Sequence, residues 1–293
     1  MKRRILAALL LAPVVYALMR AAAVDRVHRY ETLDADAADL PGMRLYIRGR
    51  RMHLTIDGQG PPLLMLHGFG SSSAAFRTLV PHLRSAVTMI APDLPGWGYS
   101  ERAPDADHSP KAHATLMIEL LDRLSIGRAV VLGYGTGAVI AVHMANTKPD
   151  RIAALLLSRE EGHDRLLPSW LRPLLTLCVP FLLESRWGQR RLDRSVTALG
   201  NRPDEVLVAA HLDEARTVGH TATFLAILTR SRPEPTPATR SIQVPTLTIV
   251  DDEQPDAAAI SILDFLRAAH VLPPTQATSN MLAFHEQTRA IKP

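Results

Sequence analysis

Two glycine-rich turns in the sequence could do chemistry through their backbone amides. The first turn, at residues 66–70 (LHGFG), closes an apolar run, and its glycine lets the chain bend sharply so that the amide of Phe69 points into a cleft. The second, at residues 133–137 (GYGTG), starts a helix and directs the amide of Thr136 at the same point. Two converging amides predict an oxyanion hole, although each motif taken alone also fits an ordinary glycine turn. The residues expected to line this hole are His67, Gly68 and Tyr134.

The segments that must position these turns are short apolar runs separated by turn residues, which predict β-strands. The first two runs alternate with polar residues, whereas the later ones are continuous and typical of strands buried on both faces of a sheet. Helical spacing of apolar residues occurs between them at 110–124, 137–146 and 256–269. Strand and helix alternate, which predicts an α/β protein with a mostly parallel central sheet flanked by helices. The predicted strands are 44–47, 51–56, 63–66, 87–91, 129–132, 152–157 and 245–250.

The alternation stops at residue 158 and returns only near residue 245, which predicts a helical cap inserted at 158–240. Within the cap, the apolar stretch 166–183 would form the cap core, roof an acyl-sized cavity or lie on a bilayer surface. The proline-rich run 233–237 (PEPTP) suits neither helix nor central strand and returns the chain to the core. Four arginines follow the apolar stretch: Arg186, Arg190, Arg191 and Arg194. They are expected either to form a solvated helix face or to contact lipid headgroups.

Three motifs lie in register after predicted strands, namely 66–70, 91–100 (APDLPGWGYS) and 131–137 (VLGYGTG). Together with VPTL at 244–247, where a penultimate strand is expected, they resemble the α/β-hydrolase superfamily, and among its members the capped, membrane-anchored bacterial type. The resemblance implies an α/β-hydrolase fold interrupted by a cap. It assigns residues 43–157 and 241–293 to the core and residues 158–240 to the cap.

The same resemblance shows what is missing at the strand-to-helix elbow. In the family this elbow reads Gly-x-nucleophile-x-Gly, with Ser, Asp or Cys at its centre, because the turn lifts that side chain toward the substrate. Gly133 and Gly137 fix the frame, so the central residue is Gly135, which has no side-chain atom to attack with. Thr136 is a candidate for a displaced nucleophile, but on such a turn neither it nor Tyr134 would point at the substrate.

The acid of the family's triad precedes a proline after the penultimate strand and holds the histidine in its working tautomer. Registering on the proline of DDEQP places Gln254 at that position. A shift of register would bring Glu253 or Asp252 there instead. Some relatives carry their acid after the preceding strand, where Glu160 and Glu161 stand, although these two also fit a solvated start of the cap.

The family's base is a histidine that lies five residues before a glutamate at the start of the final helix. Registering on Glu286 places Met281 at the position of the histidine and Asn280 at that of the glycine before it. His285 and His270 are the remaining candidates, and each would need a rearranged loop to act as the base.

An intact fold with triad positions at Gly135, Gln254 and Met281 predicts a catalytically inactive pseudohydrolase that binds a small apolar or acyl ligand, or a protein partner. Removal of a Ser-His-Asp triad leaves a residual rate of only ~10³ to 10⁴ over water, far below useful turnover. The alternative is a hydrolase of a carboxylic ester or lipid whose catalytic residues are displaced. A cofactor-free lyase or oxygenase on the same fold would also depend on the missing histidine.

Composition excludes several other classes of function. The 293 residues are 47% hydrophobic, which is enough for a large buried core. The 33 basic residues nearly balance the 29 acidic ones, and 5% aromatic content without a basic tract argues against nucleic-acid binding. The single cysteine, Cys178, can form neither an internal disulfide nor a cysteine-based zinc site. Without ligand-spaced clusters or a dinucleotide glycine motif, we expect no metal and no cofactor.

The amino terminus has the charge-then-apolar order that a secretion machinery recognises, with basic residues at 2–4 before the apolar run 5–19. Residues 1–24 are therefore predicted to be a signal anchor with a cytoplasmic amino terminus, or a signal peptide cleaved near the small residues 21–23. An amphipathic first helix is disfavoured because the run has no polar face. Residues 25–42 are predicted to be a tether. We expect the protein to be membrane-anchored, or secreted or periplasmic if the leader is cleaved.

Overall fold

The computed structural model of the protein describes residues 2–35, 41–158, 205–230, 242–249 and 255–273. Its strands are β1 (Met43–Ile47), β2 (Arg50–Gly58), β3 (Pro62–Leu66), β4 (Thr88–Pro92), β5 (Ala129–Gly133), β6 (Ile152–Ser158) and β7 (Thr246–Ile249). They form one sheet in the order β1-β2-β4-β3-β5-β6-β7. β2 pairs antiparallel with β1 and β4, and all other neighbours are parallel. The predicted strands and the mostly parallel sheet are confirmed.

Helices flank this sheet and begin where local sequence favours them. They are α1 (Lys2–Tyr30), α2 (Val80–Leu83), α3 (Pro110–Arg123), α4 (Thr136–Thr147), α5 (Glu205–Glu214), α6 (His220–Arg230) and α7 (Pro255–Ala268). The start of α3 shows the local cause, since Ser109 Oγ accepts a hydrogen bond from the amide of Ala112 at 3.2 Å and Pro110 takes the first helical position. The predicted core helices are confirmed, and α5 and α6 fall in the described part of the predicted cap.

The core has two layers because successive strand residues point to opposite faces of the sheet. Leu64 and Leu66 of β3 pack into the cluster that α3 and α4 cover, whereas Leu63 and Met65 pack into the cluster on the other face with α7. All four leucine and methionine side chains are inaccessible to solvent. This two-sided burial holds the carboxyl ends of β3 and β5 side by side, which is where both glycine-rich turns begin.

The amino-terminal helix α1 continues past residue 24 through residues 25–30, which belong to the predicted tether. This stretch contains no helix breaker, and Arg29 pairs with Asp25 one turn earlier. Beyond the helix, Leu33 forms a parallel bridge with Thr217 in the chain between α5 and α6. In the part of the chain that the structure describes, we find no helix with the length and apolar content that crossing a membrane requires.

Candidate active site

The elbow between β5 and α4 has Gly135 at its apex, with φ 51° and ψ −118°. A positive φ is disfavoured for every residue that has a Cβ, so this backbone suits glycine. The flanking glycines are required by packing: a Cβ on Gly133 would overlap the carbonyl of Gly137, and one on Gly137 would overlap the carbonyl of Leu66. The frame deduced from Gly133 and Gly137 therefore matches the geometry of the turn.

The two turns expected to form the oxyanion hole are packed against each other. The amide of Tyr134 donates a hydrogen bond to the carbonyl of Leu66 at 2.9 Å, and a Cβ on Gly68 would lie 3.2 Å from the carbonyl oxygen of Tyr134. Thr136 is the first residue of α4, where an amide has no acceptor within the helix. The turn that carries Phe69 thus lies beside a helix amino terminus, as an anion-binding site requires.

Ser158 is a residue at the elbow that sequence reasoning missed. Its Oγ accepts a hydrogen bond from the amide of Gly135 at 2.9 Å, and the residue is only 5% exposed. Ser158 ends β6, which is the neighbour of β5 in the sheet, so its side chain reaches the apex from the adjacent strand. The signal available in the sequence is its position at a strand end, two residues before Glu160 of the glutamate pair that is a candidate for the acid.

An aromatic cluster covers the turn that carries Phe69. The ring of Phe69 lies 4.9 Å from that of Trp97 and 5.6 Å from that of Phe224, and the rings of Trp97 and Phe224 are 5.7 Å apart. Phe224 belongs to α6, so a helix of the predicted cap range packs directly on the loop of the core. Such edge-to-face and tilted contacts favour burial of aromatic groups and make this side of the site apolar.

His67 forms hydrogen bonds to the turn at 66–70 and to the loop that follows β4. Its Nδ1 donates to the carbonyl of Gly68 at 2.8 Å, and its Nε2 accepts from the amide of Leu94 at 2.9 Å. Burial lowers the pKa of His67 to about 4, so the ring is neutral, as this pair of contacts requires. His67 therefore positions the turn beside the predicted hole, and both of its nitrogens are used in doing so.

A buried ion pair lies beneath the same loops. His53 Nδ1 donates to Asp93 Oδ2 at 2.8 Å, and His53 Nε2 faces the carbonyl of Pro41 at 2.7 Å. Both ring nitrogens thus meet acceptors, which favours the imidazolium, and the bond to Asp93 raises the pKa of His53 against the effect of burial. Asp93 also accepts from the amides of Ser73 and Tyr99 at 2.8 and 2.9 Å. Despite its burial, these contacts lower the pKa of Asp93 to about 2.

Arg102 connects the loop that follows β4 to the chain between α5 and α6. Its guanidinium donates to the carbonyls of Gly96 and Gly98, to Thr217 Oγ1 at 2.8 Å and to the carbonyl of Glu214 at 3.3 Å. Burial lowers the pKa of Arg102 to about 10, which leaves it charged at neutral pH. The rigid fork of the guanidinium suits this multiple contact, so Arg102 fixes the position of the chain between α5 and α6 over the core.

Most of the remaining candidate residues lie outside the described ranges. These are Glu160, Glu161, Asp252, Glu253, Gln254, Met281 and His285, together with the apolar stretch 166–183, the arginines that follow it and the run 233–237. His270 is described and lies exposed in the turn after α7. Among the described side chains, no group of three His, Cys, Asp or Glu is arranged to hold a metal ion.

Comparison with known proteins agrees with this architecture. A family model described as the alpha/beta hydrolase fold matches residues 61–172. The chain is 35% identical over 124 residues to 2-hydroxymuconate semialdehyde hydrolase of Pseudomonas sp. (strain CF600), a match covering 41% of this chain and 44% of that protein. It is 30% identical over 129 residues to haloalkane dehalogenase 2 of Mycobacterium tuberculosis (strain ATCC 25618 / H37Rv), covering 44% and 42%. The chain spans less than half the length of the curated relatives it matches.

Solved structures are similar over more of the chain. A serine-to-glycine variant of the N-acyl homoserine lactonase AidH, complexed with N-hexanoyl homoserine lactone, has a TM-score of 0.56 at 21% identity and covers 80% of this chain and 100% of its own. A membrane phospholipase A described as a bacterial virulence factor has a TM-score of 0.56 at 19% identity and covers 99% of both chains. The sheet, the elbow and these similarities show that the protein has the α/β-hydrolase fold.

Proposed function

We propose that this protein is a pseudohydrolase, which keeps the α/β-hydrolase fold and its anion-binding turns but binds a small apolar or acyl ligand without cleaving it. The observation that carries the proposal is Gly135 at the apex of the elbow with φ 51°. This is the position from which a nucleophilic side chain would reach the substrate, and glycine offers no such atom there. The backbone amides that would stabilise an oxyanion need no particular side chain.

The aromatic cluster of Phe69, Trp97 and Phe224 supports ligand binding at this site. Phe69 is the partly exposed ring of this cluster, and Trp97 and Phe224 are buried against it, so an apolar surface lies on one of the two glycine-rich turns, a combination that suits an acyl chain ending in a carbonyl or carboxylate. The AidH variant supports the same idea, because that protein holds an acylated lactone with a glycine in place of one serine. The alternative within this proposal is that the same surface binds a protein partner instead of a small ligand.

A displaced hydrolase is the second candidate function, and Ser158 favours it. Its hydroxyl lies 2.9 Å from the amide of Gly135, close to where an elbow nucleophile would start, and the relatives named above are hydrolases and dehalogenases. In this arrangement, however, Ser158 Oγ accepts from the elbow amide instead of facing a base. A base for it would have to come from residues such as His285, outside the described ranges.

Hydrolysis of p-nitrophenyl hexanoate tests the choice between these functions. We expect the purified full chain to show no turnover above buffer, and the triple variant Gly135→Ser, Gln254→Asp, Met281→His to gain turnover because the turns are already in place. Turnover by the unchanged chain that disappears in Ser158→Ala would establish the displaced hydrolase and overturn the proposal.

Ligand binding is tested with a fluorescent fatty acid, 11-(dansylamino)undecanoate. We expect its emission to rise with the unchanged chain, and the affinity to fall about tenfold or more in Phe224→Asp, which places a charge in the aromatic cluster. Tyr46→Asp, at a 61% exposed position of β1, is the matched control and should bind normally. If both variants bind the probe equally well, the ligand does not bind at the aromatic cluster and this part of the proposal is wrong.

We also propose that residues 1–24 attach the protein to a membrane. Several apolar side chains of α1 are solvent-exposed, among them Leu18 at 66% and Val14 at 54%, and a surface of this kind favours contact with lipid or with another apolar surface. Secretion after cleavage is the alternative. Fractionation of cells that produce the full chain, followed by mass measurement, separates the two: the anchor predicts an intact mass in the membrane fraction, and the cleaved leader predicts a shorter soluble chain.

A further inference from the structure

A cavity of about 550 Å³ lies on the other face of the sheet from α3 and α4, between β2, the 3₁₀ turn Ser73–Phe76 and α5. Its volume falls within the range of small-molecule sites. No residue of the turns at 66–70 and 133–137 lines it. The cavity is therefore separate from the elbow and from the aromatic cluster, and the proposed function does not use it.

Glu214, the last residue of α5, brings a buried carboxyl group to the wall of this cavity. The residue is only 6% exposed, and Ser72 Oγ, at 2.6 Å from Oε1, is the hydrogen-bond donor that its side chain has among the described residues. No arginine or lysine of those residues forms an ion pair with it, since the guanidinium of Arg102 reaches only its backbone carbonyl. Burial raises the pKa of Glu214 to about 7, although the charges of His211 and Arg102 and the hydrogen bond from Ser72 act to lower it. A carboxyl group buried to this extent is costly to ionise, and a cation bound beside it would favour the ionised form.

The other charges on the wall leave an excess of acidic groups at the α5 end. The charge of His53 is balanced by Asp93 at 2.8 Å, whereas Asp57 forms an exposed pair with Arg84 at 3.2 Å that solvent screens. Asp213 adds a second carboxylate beside Glu214, and its own partner Arg216 is 3.7 Å away in an exposed pair that solvent screens. Arg77 contributes the remaining positive charge of the wall and has interactions of its own.

Tyr99 also lines the cavity, near its acidic groups. Burial raises the pKa of its phenol, and the charges of Glu214, Asp213 and Asp93 raise it further. The same ring offers an aromatic face, which attracts cations through its quadrupole. Beside it, Phe76, Val80 and other apolar residues line the cavity. The wall thus combines an acidic end with an apolar body.

We propose that this cavity is a binding site for a small organic cation with an alkyl portion, whose ammonium group pairs with Glu214 and Asp213 beside Tyr99. The alkyl portion lies along the apolar wall toward Val80. The cavity favours a cationic ligand because a cation stabilises the buried carboxylate of Glu214. It favours a small ligand because its volume suits a short alkyl chain.

Isothermal titration calorimetry of the full chain with n-hexylammonium chloride at about pH 8 tests this site. We expect saturable binding that weakens about tenfold or more in Glu214→Gln, which keeps the shape and an acceptor for Ser72 but removes the charge. Ala210→Phe, which fills the cavity from α5, is expected to abolish binding by a route independent of charge. Asp150→Asn, an exposed carboxylate that does not line the cavity, is the matched control and should bind normally.

Other results overturn the proposal. Absence of heat with the unchanged chain, or equal affinity in Glu214→Gln and Asp150→Asn, would show that the carboxylate does not recognise the cation. Binding that is lost in Phe224→Asp and kept in Ala210→Phe would place the amine in the aromatic cluster instead. Because Phe224→Asp and Gly135→Ser should both leave amine binding unchanged, failure at this site is distinguishable from failure of the proposed function.

Discussion

The hydroxyl of Ser158 accepts a hydrogen bond from the backbone amide of Gly135 at 2.9 Å, which joins the end of β6 to the apex of the elbow. The chain makes this contact across the sheet, because β5 and β6 are parallel neighbours whose carboxyl ends lie together. In a hydrolase of this fold, the apex carries the attacking atom. Here the apex carries no side chain, and a neighbouring hydroxyl holds its amide in place.

Replacement of Ser158 by alanine should therefore lower stability. The variant leaves the part-buried amide of Gly135 without this acceptor, and we expect the free energy of unfolding to fall by about 1–3 kcal/mol. Urea denaturation measures the change, with the exposed Ser85→Ala as the control that should stay within about 0.5 kcal/mol. Equal stability of Ser158→Ala and Ser85→Ala would show that this hydrogen bond does not hold the elbow.

Replacement of Gly135 by alanine tests the strained geometry of the elbow. A Cβ at φ 51° and ψ −118° is disfavoured, so we expect a loss of about 1–3 kcal/mol in the same urea experiment. Gly127→Ala is the matched control, since Gly127 has open space where a Cβ would be added. A gain in stability for Gly135→Ala would mean that the apex is not held in this conformation.

The sequence was sufficient to predict most of the core. The continuous apolar runs of β3, β5 and β6 could be assigned because burial on both faces leaves no polar alternation, and the frame of the elbow followed from Gly133 and Gly137. Charged residues such as Asp25 and Arg29 favour a tether in the sequence, and they are equally compatible with the exposed end of a helix, which is where the structure places them.

The contacts around the site could not be predicted in the same way. Ser158 lies 23 residues from Gly135 in sequence, and Glu214 lies 142 residues from Ser72. Such pairs depend on how strands and helices pack, and neither a serine at a strand end nor a glutamate in a helix is unusual by itself. The pairing of His53 with Asp93 was missed for the same reason, because it depends on β2 lying next to β4.

Removal of the Glu31 carboxylate should loosen the start of α6. Its two oxygens accept hydrogen bonds from the amides of Gly219 and Thr221 at 2.7 and 2.6 Å, at the start of α6. We expect Glu31→Ala to cost about 1–3 kcal/mol locally, because these amides lose a charge-assisted partner. Hydrogen exchange of residues 217–224 should become faster, while Asp25→Ala, which removes only an exposed pair with Arg29, leaves it unchanged. Unchanged exchange in Glu31→Ala would show that Glu31 does not stabilise the start of α6.

The buried histidines His67 and His113 should lower the stability of the protein as the pH falls below about 6.5. Burial lowers the pKa of His67 to about 4 and that of His113 to about 3, so both rings stay neutral in the folded protein. The unfolded chain takes up a proton on each near pH 6.5, and it therefore binds more protons than the folded state between about pH 6.5 and 4. Each histidine then reduces the free energy of unfolding by up to about 1.4 kcal/mol per pH unit.

Urea denaturation at pH 7, 6 and 5 checks this dependence. His67→Gln should be less stable than the unchanged chain at pH 7 but lose less stability toward pH 5, because one of the buried rings that take up a proton only on unfolding is gone. His82→Gln, at an exposed position, is the control and should keep the full slope. Identical slopes for the two variants would contradict a neutral, buried His67.

Intact-mass spectrometry of the full chain after incubation with a fluorophosphonate tests the central claim, the absence of a nucleophile at the elbow. We predict an unchanged mass for the protein as it is, because glycine at position 135 has no atom to phosphonylate. An adduct of one phosphonyl group per chain, mapped to Ser158 or to any other hydroxyl and lost when that residue is replaced, would contradict the account.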